Sequence, residues 1–135
     1  MERTRGTAID WIGYGVLILL AVVIGGFSLF VGYHKAFSPL EELAKHSAWT
    51  IHLPVLLGRA LGLLEIASAA VLILSLPFRR FARIGTLCAA WIGLNHAVAA
   101  IVHIIHAEWH TLTQSAVMIT LCIVMTALYA RRART

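Results

Sequence analysis

Residues 54–76, PVLLGRALGLLEIASAAVLILSL, decide the fold of this chain. The stretch is as long as the roughly 20 residues that a helix needs to cross a bilayer. Its charged side chains are Arg59 and Glu65 alone. Pro54 suits the first turn of a helix, where the missing N–H removes no hydrogen bond, and Pro77 follows the stretch. These features predict a transmembrane helix.

Three further apolar stretches predict three more spans, at residues 9–33, 81–103 and 112–129, with an outer connection at residues 34–53. The chain is 60% hydrophobic and 13% charged, whereas soluble domains carry about 25% charged residues. The first stretch is longer than the roughly 7–15 apolar residues of a signal peptide, so we expect it to be retained. Residues 1–135 are therefore predicted to form a single four-span membrane domain.

Small residues recur on one face of three spans, which is the pattern of helices that pack closely in lipid. The fold class predicted from this pattern is all-α, an integral membrane four-helix bundle with the small-residue faces turned inward. These faces are Ala21, Gly25, Ser28 and Gly32 in the first span, Gly58, Gly62, Glu65 and Ala69 in the second, and Ala89, Gly93, His96, Ala100 and His103 in the third.

The arginines and lysines predict the orientation of the bundle. One side carries only Lys35 and Lys45, whereas the other side carries Arg3, Arg5, Arg79, Arg80, Arg83, Arg131, Arg132 and Arg134. Both termini are therefore predicted to be cytoplasmic, in a bacterial inner membrane. Because the basic residues sit at the ends of apolar stretches, the net charge of +5 does not predict nucleic-acid binding. The lipid bilayer is the predicted partner.

The outer connection contains one predicted short amphipathic helix. Ser38, Pro39 and Glu41 are arranged as a helix start, with serine as N-cap, proline in the first turn and an acid beside it. Leu40 and Leu43 would give this helix an apolar side. We expect it to lie against the outer surface of the bundle.

Glu65 is the residue that most strongly indicates a function. It lies about 16 Å into its span, near the bilayer centre, where a carboxylate costs roughly 2.5 kcal/mol or more. It must therefore be paired, hydrogen-bonded or protonated, and the candidate partners are Arg59, Asn95 and His96. With His103, these residues are the candidates for ligand binding or proton handling; a purely structural role for Glu65 stays open.

Residues 95–110 contain four of the seven histidines. A metal site from His103, His106, Glu108 and His110 has reasonable helical spacing but no closed zinc motif, so these are weak candidates. A haem would need a histidine at matching depth on a facing helix, and none is available. The alternatives are ordinary interface histidines, or a proton relay or redox-ligand contact through His96 and His103.

No complete catalytic constellation is visible, so the sequence does not favour an enzyme. There is no G-x-S-x-G nucleophile motif and no glycine-rich phosphate loop. The two cysteines, Cys88 and Cys122, lie inside apolar stretches and do not indicate a disulfide framework.

Three short motifs resemble the DoxX and DoxX-like family of small four-helix membrane proteins. FSLFVGYHKAFSP carries Phe30, Gly32 and Lys35, and GRALGLLEIASAAVLIL carries Arg59, Gly62 and Glu65. AAIVHIIHAE carries an alanine-rich helix end followed by a histidine and an acid, at Ala99, Ala100, His103 and Glu108. The resemblance covers residues 10–130, and the additional histidines at 106 and 110 depart from it.

The resemblance implies a link to sulfur or thiol redox chemistry and to quinone-linked complexes, or an accessory or chaperone-like role. The first hypothesis is therefore an accessory subunit of a membrane redox or stress-response complex, with membrane or redox proteins as partners. The alternatives are a small-molecule or quinone-binding redox protein with a polar cavity opening to the outer face, and a proton-conducting bundle. Quinone is the cofactor considered; haem and metal are not favoured, and an oligomer stays open.

Overall fold

The computed structural model describes the backbone of residues 2–135 and the side chains of residue 8 and residues 10–135. The predicted placement of Arg3 and Arg5 lies outside the described side chains. The α-helices are α1 (Glu2–Phe37), α2 (Leu40–Lys45), α3 (Val55–Leu74), α4 (Ala82–Ile105) and α5 (Leu112–Arg134). Short 3-10 helices at Trp49–His52, Arg79–Phe81 and Trp109–Thr111 occupy the connections. Within residues 2–135 no strand is present, which confirms the all-α prediction.

Four helices of the described chain, α1, α3, α4 and α5, are long and apolar enough to cross a membrane. Each overlaps one predicted span. Helix α1 is 36 residues long, which corresponds to about 54 Å and exceeds the roughly 30 Å hydrocarbon core of a bilayer. It continues beyond residue 33, the predicted end of the span, to Phe37. Lys35 and Ala36, which lie in this additional turn, are buried.

The short helix α2 forms where the sequence predicts it and buries Leu43. Its start differs from the prediction by one residue, because Pro39 rather than Ser38 occupies the N-cap position. Ser38 still belongs to the last turn of α1, since its N–H donates to the carbonyl oxygen of His34 over 2.9 Å. Its hydroxyl oxygen lies 2.7 Å from His34 Nδ1 and so is not available to cap α2.

The long helices form two tight antiparallel pairs, α1 with α3 and α4 with α5, and these pairs pack on one another. In the first pair, Gly32 and Gly62 bring the two backbones together. A Cβ atom on Gly62 would lie 2.6 Å from the nitrogen of Ala36 and 2.8 Å from the oxygen of Gly32. Gly58, the other glycine of the G-x-x-x-G step, packs instead on Thr50 of a connection.

The small-residue faces predicted for the first and second spans are buried throughout. The face of α4 is rotated slightly from the prediction. Ala89, His96 and His103 are buried as expected, but Gly93 and Ala100 are only half-buried. Ile92, Asn95 and Ala99 are buried beside them, because α4 turns this adjacent edge toward the other helices.

The interior divides into an apolar half and a polar half. The apolar half lies toward the arginine-rich end and includes Leu17, Ile24, Leu72, Ile92, Met125 and Tyr129. The opposite half contains the buried polar side chains Lys35, Thr50, Glu65, Asn95, His96, His103 and Ser115. Thr50 belongs to the connection before α3. The other residues come from the C-terminal halves of α1 and α4, the middle of α3 and the N-terminal end of α5.

Candidate functional site

Glu65 forms a buried ion pair with Lys35. The ammonium nitrogen of Lys35 donates to Glu65 Oε2 over 2.7 Å, and the two side chains are 4% and 2% exposed. The other carboxylate oxygen, Glu65 Oε1, has no hydrogen-bond partner among the described residues. An ion pair this deeply buried fixes the positions of both groups, since separating them would leave an uncompensated charge in a dry interior.

The geometry of α1 and α3 explains why these two residues meet. Side chains of a helix lean toward its N-terminus, so in an antiparallel pair they lean in opposite directions. Lys35 lies level with Gly62, one turn from Glu65, and the two side chains lean toward one another. Because Gly62 has no side chain, the stem of Lys35 packs directly against the backbone of α3.

Two further groups hold Lys35 in place. Its ammonium nitrogen lies 5.5 Å from the centroid of the Trp49 ring, within the range of a cation–π interaction. Arg59 Nη1 donates to the backbone oxygen of Lys35 over 2.9 Å. Arg59, a candidate partner of Glu65, is thus directed to the end of α1, in agreement with its angular distance from Glu65 on the helix.

Lys35 is the residue of this site that the sequence did not predict as a partner of Glu65. The sequence predicts Lys35 at the outer surface, because Lys35 follows the first apolar stretch. The motif of Phe30, Gly32 and Lys35 could have indicated that Lys35 faces the interior, since it places the lysine one turn after a glycine on the same face. A lysine near a helix end can reach a full turn along the interior when a glycine lies opposite.

A cavity of about 390 Å³ lies at the polar end of the bundle, and we call it the outer cavity. It is bounded by α1, α4 and α5 and by the segment that contains α2. Its walls include Phe27, Phe30, His34, Lys35, Leu43, Trp49, His96, Ala99, His103, Gln114 and Ser115. The wall therefore combines apolar and aromatic surfaces with a few polar groups, as small-molecule sites do.

His96 is the polar group that projects deepest from α4 into this region. It is 6% exposed, and its Nε2 atom has no hydrogen-bond partner in the described part of the chain. The ring lies 6.1 Å from the ring of Phe27, which packs beside it from α1. An imidazole nitrogen at this position can donate or accept a hydrogen bond, depending on the tautomer.

The structure brings only some of the predicted site residues to the outer cavity. His96 and His103 line it, as does Lys35. Glu65 contacts the wall through Lys35 rather than directly. Arg59 and Asn95 are not among the residues that line the cavity.

Glu108 connects two elements beside His103, which lines the outer cavity. We call His52, His103 and Glu108 the rim of this cavity. Its Oε2 accepts a hydrogen bond from His103 Nδ1 over 2.6 Å, and its Oε1 accepts one from His52 Nε2 over 3.2 Å. The hydrogen bond from His103 is the main reason that the pKa of Glu108 lies below its ordinary value of 4.5; burial opposes this shift, and the hydrogen bond from His52 adds to it. Glu108 thus ties the connection before α3 to the end of α4.

Two other histidines at this end of the bundle, His106 and His110, have separate partners. His106 stacks on His52, with ring centroids 3.6 Å apart and planes 7° from parallel. His110 Nε2 lies 3.2 Å from Ser47 Oγ. Within the described residues, no three histidine, cysteine or acidic side chains form a group suited to one metal ion. The weak metal candidates are therefore spread over separate contacts.

Comparison with known proteins gives one match. A family model described as the DoxX-like family matches residues 17–127, which is most of the chain and includes the ion pair, the outer cavity and its rim. No curated protein and no solved structure matches the chain at a significant level.

Proposed function

Since the chain belongs to the DoxX-like family of integral membrane proteins, we propose that it binds a quinone-type ring in the outer cavity as an accessory subunit of a membrane redox or stress-response complex. The observation that carries this proposal is the Nε2 atom of His96 in the outer cavity, which has no hydrogen-bond partner in the part of the chain that the structure describes. A buried polar atom without a partner is costly, and a ligand with a carbonyl or hydroxyl group would satisfy it.

The size and the walls of the outer cavity support a ring-shaped ligand. Its volume of about 390 Å³ is sufficient for a substituted six-membered ring. Phe27 and Trp49 supply aromatic surface, and Ala99 is small enough to leave room beside His96. A quinone supplies redox chemistry when bound; the residues of this chain would bind its ring and orient its polar groups.

Lys35 would supply positive charge at the wall of the cavity. The Glu65 carboxylate holds the ammonium group in place, so the charge is pre-positioned and does not have to be recruited by the ligand. Electron-rich oxygens of the ligand would be attracted to this charge. Glu65 acts on the ligand only through Lys35 and is therefore a positioning residue.

The experiment that tests binding is an equilibrium titration of the purified chain with a short-chain benzoquinone, followed by tryptophan fluorescence. Trp49 lies in the wall, so a bound ring is expected to quench its emission. We expect saturable binding that becomes about tenfold weaker in His96→Leu, because the hydrogen bond to Nε2 is lost. His96→Gln, which keeps a polar group, should retain part of the affinity.

His110→Leu is the matched control, because His110 is an exposed histidine that does not line the outer cavity. Its affinity should stay within twofold of the wild type. Unsaturable quenching, or equal affinity in His96→Leu and His110→Leu, would contradict the proposal. Melting temperatures of all variants show whether each protein is folded.

The accessory role has a test of its own, because a subunit must be recovered with partners. The resemblance of the motifs to a family linked to redox complexes supports this part of the proposal. We expect affinity purification from native membranes to recover the same partner proteins with the wild type and with His96→Leu, since His96 is buried and a partner protein would contact exposed side chains. Recovery of the chain alone, from membranes solubilised mildly, would oppose an accessory role.

A proton-conducting bundle is the second candidate, and it is favoured by Glu65 Oε1, which lies within a span and has no hydrogen-bond partner among residues 10–135. Intramembrane carboxyl groups are common members of proton paths. Reconstitution in liposomes with a pH-sensitive dye tests it. Proton flux that is abolished both by Glu65→Gln and by the more stable double variant Lys35→Met/Glu65→Gln would support this candidate, and flux that persists unchanged would oppose it.

For the location of the protein, we favour the bacterial inner membrane with both termini in the cytoplasm. The distribution of arginine along the chain supports this orientation, since basic residues are retained on the cytoplasmic side. In this orientation the outer cavity opens away from the cytoplasm.

A further inference from the structure

A second cavity, which we call the inner cavity, lies at the arginine-rich end between α1 and α5. Its volume is about 410 Å³. Asp10, Tyr14, Arg79, Arg131 and Arg132 supply its polar wall, and apolar side chains of both helices complete it. No residue of the outer cavity takes part in it. The ligand of this cavity must therefore be argued from its own chemistry.

The guanidinium group of Arg132 is held in position by two contacts. Arg132 Nη2 donates to the oxygen of Leu76 over 3.1 Å, and the guanidinium group lies 4.3 Å from the ring centroid of Tyr14. The hydroxyl group of Tyr14 donates to the same oxygen over 3.1 Å. Arg132 Nε is buried and has no hydrogen-bond partner among the residues that the structure describes.

The charges of the inner cavity do not balance. Arg131 Nη2 donates to Asp10 Oδ1 over 2.8 Å, so one guanidinium group is paired with a carboxylate. Arg79 and Arg132 also line the cavity, and among the side chains that the structure describes Asp10 is its one acidic lining residue. The wall thus carries an excess of positive charge, which favours an anionic ligand.

We propose that the inner cavity binds the phosphate group of an anionic phospholipid. Arginine presents several N–H donors that match phosphate oxygens, and basic pockets between transmembrane helices on the cytoplasmic side bind anionic head groups. Trp11 is 73% exposed at the mouth of the cavity, as is common for tryptophan at the level of lipid head groups. Arg79 and Arg131 bind the phosphate, with Arg132 behind them.

The apolar part of the wall selects a lipid over free phosphate. Leu17 and Leu128 lie one to two turns deeper in the bundle than Asp10 and Arg131, and both line the cavity. A phosphate ester with acyl chains would contact these side chains, whereas inorganic phosphate would not. The two sources of phosphate therefore differ in the affinity that they should show.

Native mass spectrometry of the purified full chain tests the proposal. The protein is released from detergent in the presence of phosphatidylglycerol, phosphatidylcholine or inorganic phosphate. We expect phosphatidylglycerol to be retained at least fivefold more than phosphatidylcholine. An arginine at a membrane surface contributes about fivefold in lipid affinity, so Arg79→Gln should reduce retention about fivefold, and the double variant Arg79→Gln/Arg131→Gln further.

Two further variants make the test specific. Arg80→Gln is the matched control, because Arg80 lies over the rings of Phe78 and Phe81 and does not line the inner cavity. It removes the same charge at the next position and should leave retention within twofold. Asp10→Asn releases Arg131 from its ion pair and should increase retention, a gain that a misfolded protein would not show.

Three results would overturn the proposal. The first is equal retention of phosphatidylglycerol and phosphatidylcholine. The second is a loss in Arg80→Gln as large as that in Arg79→Gln, which would mean diffuse attraction to the basic surface. The third is complete displacement of the lipid by millimolar inorganic phosphate, which would mean that the acyl chains contribute nothing and that the site takes a soluble anion.

Discussion

At the scale of single residues, the Lys35–Glu65 pair is the most constrained feature of the protein. Both groups are buried, and the pair is made by a single hydrogen bond of 2.7 Å. Burial of an ion pair costs desolvation energy that the attraction only partly offsets, so the pair contributes little net stability. Loss of one member, however, leaves the other as a buried unpaired charge. The intact pair therefore adds little to the stability of the bundle, whereas the loss of either member is costly because the charge of the other is no longer neutralised.

Glu65→Gln is expected to destabilise the protein by about 3–5 kcal/mol, because it leaves the Lys35 ammonium group unpaired in the interior. Thermal unfolding of the purified protein in detergent measures the effect. The double variant Lys35→Met/Glu65→Gln removes both charges and should recover a large part of the stability. Equal melting temperatures for the two variants would show that the pair is not coupled as described.

Glu108 gives the rim a dependence on pH whose sign follows from its pKa. The pKa of Glu108 is lowered in the folded protein by hydrogen bonds from His103 and His52. A lowered pKa means that the folded protein stabilises the carboxylate, so the contribution is complete above the unfolded pKa, near pH 4.5. It is lost as the pH falls further, through the folded pKa.

We therefore expect Glu108→Gln to lower the melting temperature at pH 7 and to have a progressively smaller effect as the pH falls below 4.5 and the wild-type carboxyl group becomes protonated. Melting curves of both proteins across this range provide the measurement. Glu41→Gln, a change at an acid whose side chain is 87% exposed, is the control and should leave the curves in place. A difference that grows as the pH falls would contradict the assignment of Glu108.

At the scale of elements, the contact between α1 and α3 depends on two glycines that face one another. A Cβ atom at Gly32 would lie 2.8 Å from the oxygen of Gly62, and the reverse contact is equally short. These neighbours are backbone atoms, so they cannot move aside without separating the helices. The close approach is also what allows the Lys35 stem to pass along α3 to Glu65.

Gly62→Ala is expected to destabilise the protein by about 1–3 kcal/mol, because the added methyl group forces α1 and α3 apart. Thermal unfolding in detergent is again the measurement. Gly26→Ala is the matched control on α1, since a Cβ atom there meets nothing within 4 Å. This control should cause no loss of stability. Alanine has a higher helix propensity than glycine, so equal losses in the two variants would mean that close approach at Gly62 does not set the cost.

Periodicity predicted the buried faces of α1 and α3, but not which helices pair. Spacing within one helix fixes the angles between its side chains, so the faces of α1 and α3 were predicted correctly. The register of α1 against α3 depends on how two separate stretches align, and the spacing of residues within each helix does not determine this alignment. For this reason the burial of Glu65 was predicted, whereas its partner Lys35 was not.

The same limit applies to the cavities and to the rim. The predicted group of site residues assumed that Arg59, Asn95 and His96 face one space, because they share a depth in the bilayer. The depth of a residue follows from its position along one helix. Whether residues of different helices face the same cavity depends also on how each helix is oriented about its own axis. Consequently, His96 lines the outer cavity and Arg59 reaches the backbone of Lys35 instead.

At the scale of the whole molecule, the bundle is polarised along its axis. Arginines collect at one end, around the inner cavity, while histidines and acids collect at the other end, around the outer cavity. Such an asymmetry in basic residues orients a membrane protein during insertion. The two cavities therefore face different compartments in the predicted orientation.

We expect Lys45→Cys to react with a membrane-impermeant maleimide in intact spheroplasts, and Arg134→Cys to react only after lysis. The reason is the retention of the arginine-rich end in the cytoplasm. Both positions are exposed, whereas the natural Cys88 is half-buried and Cys122 is buried within the spans, so background labelling should be low. The reverse pattern of labelling would invert the proposed orientation.

Both cavities lie where α1 meets α5, which are the first and the last of the long helices. Membrane helices emerge from the ribosome in chain order, so α1 must wait for α5 after the pair α1–α3 and then α4 have entered the bilayer. Neither site has its full wall until that moment. Ligand occupancy would thus report that biogenesis is complete, and a chain arrested before α5 would have a place in the membrane but no binding site.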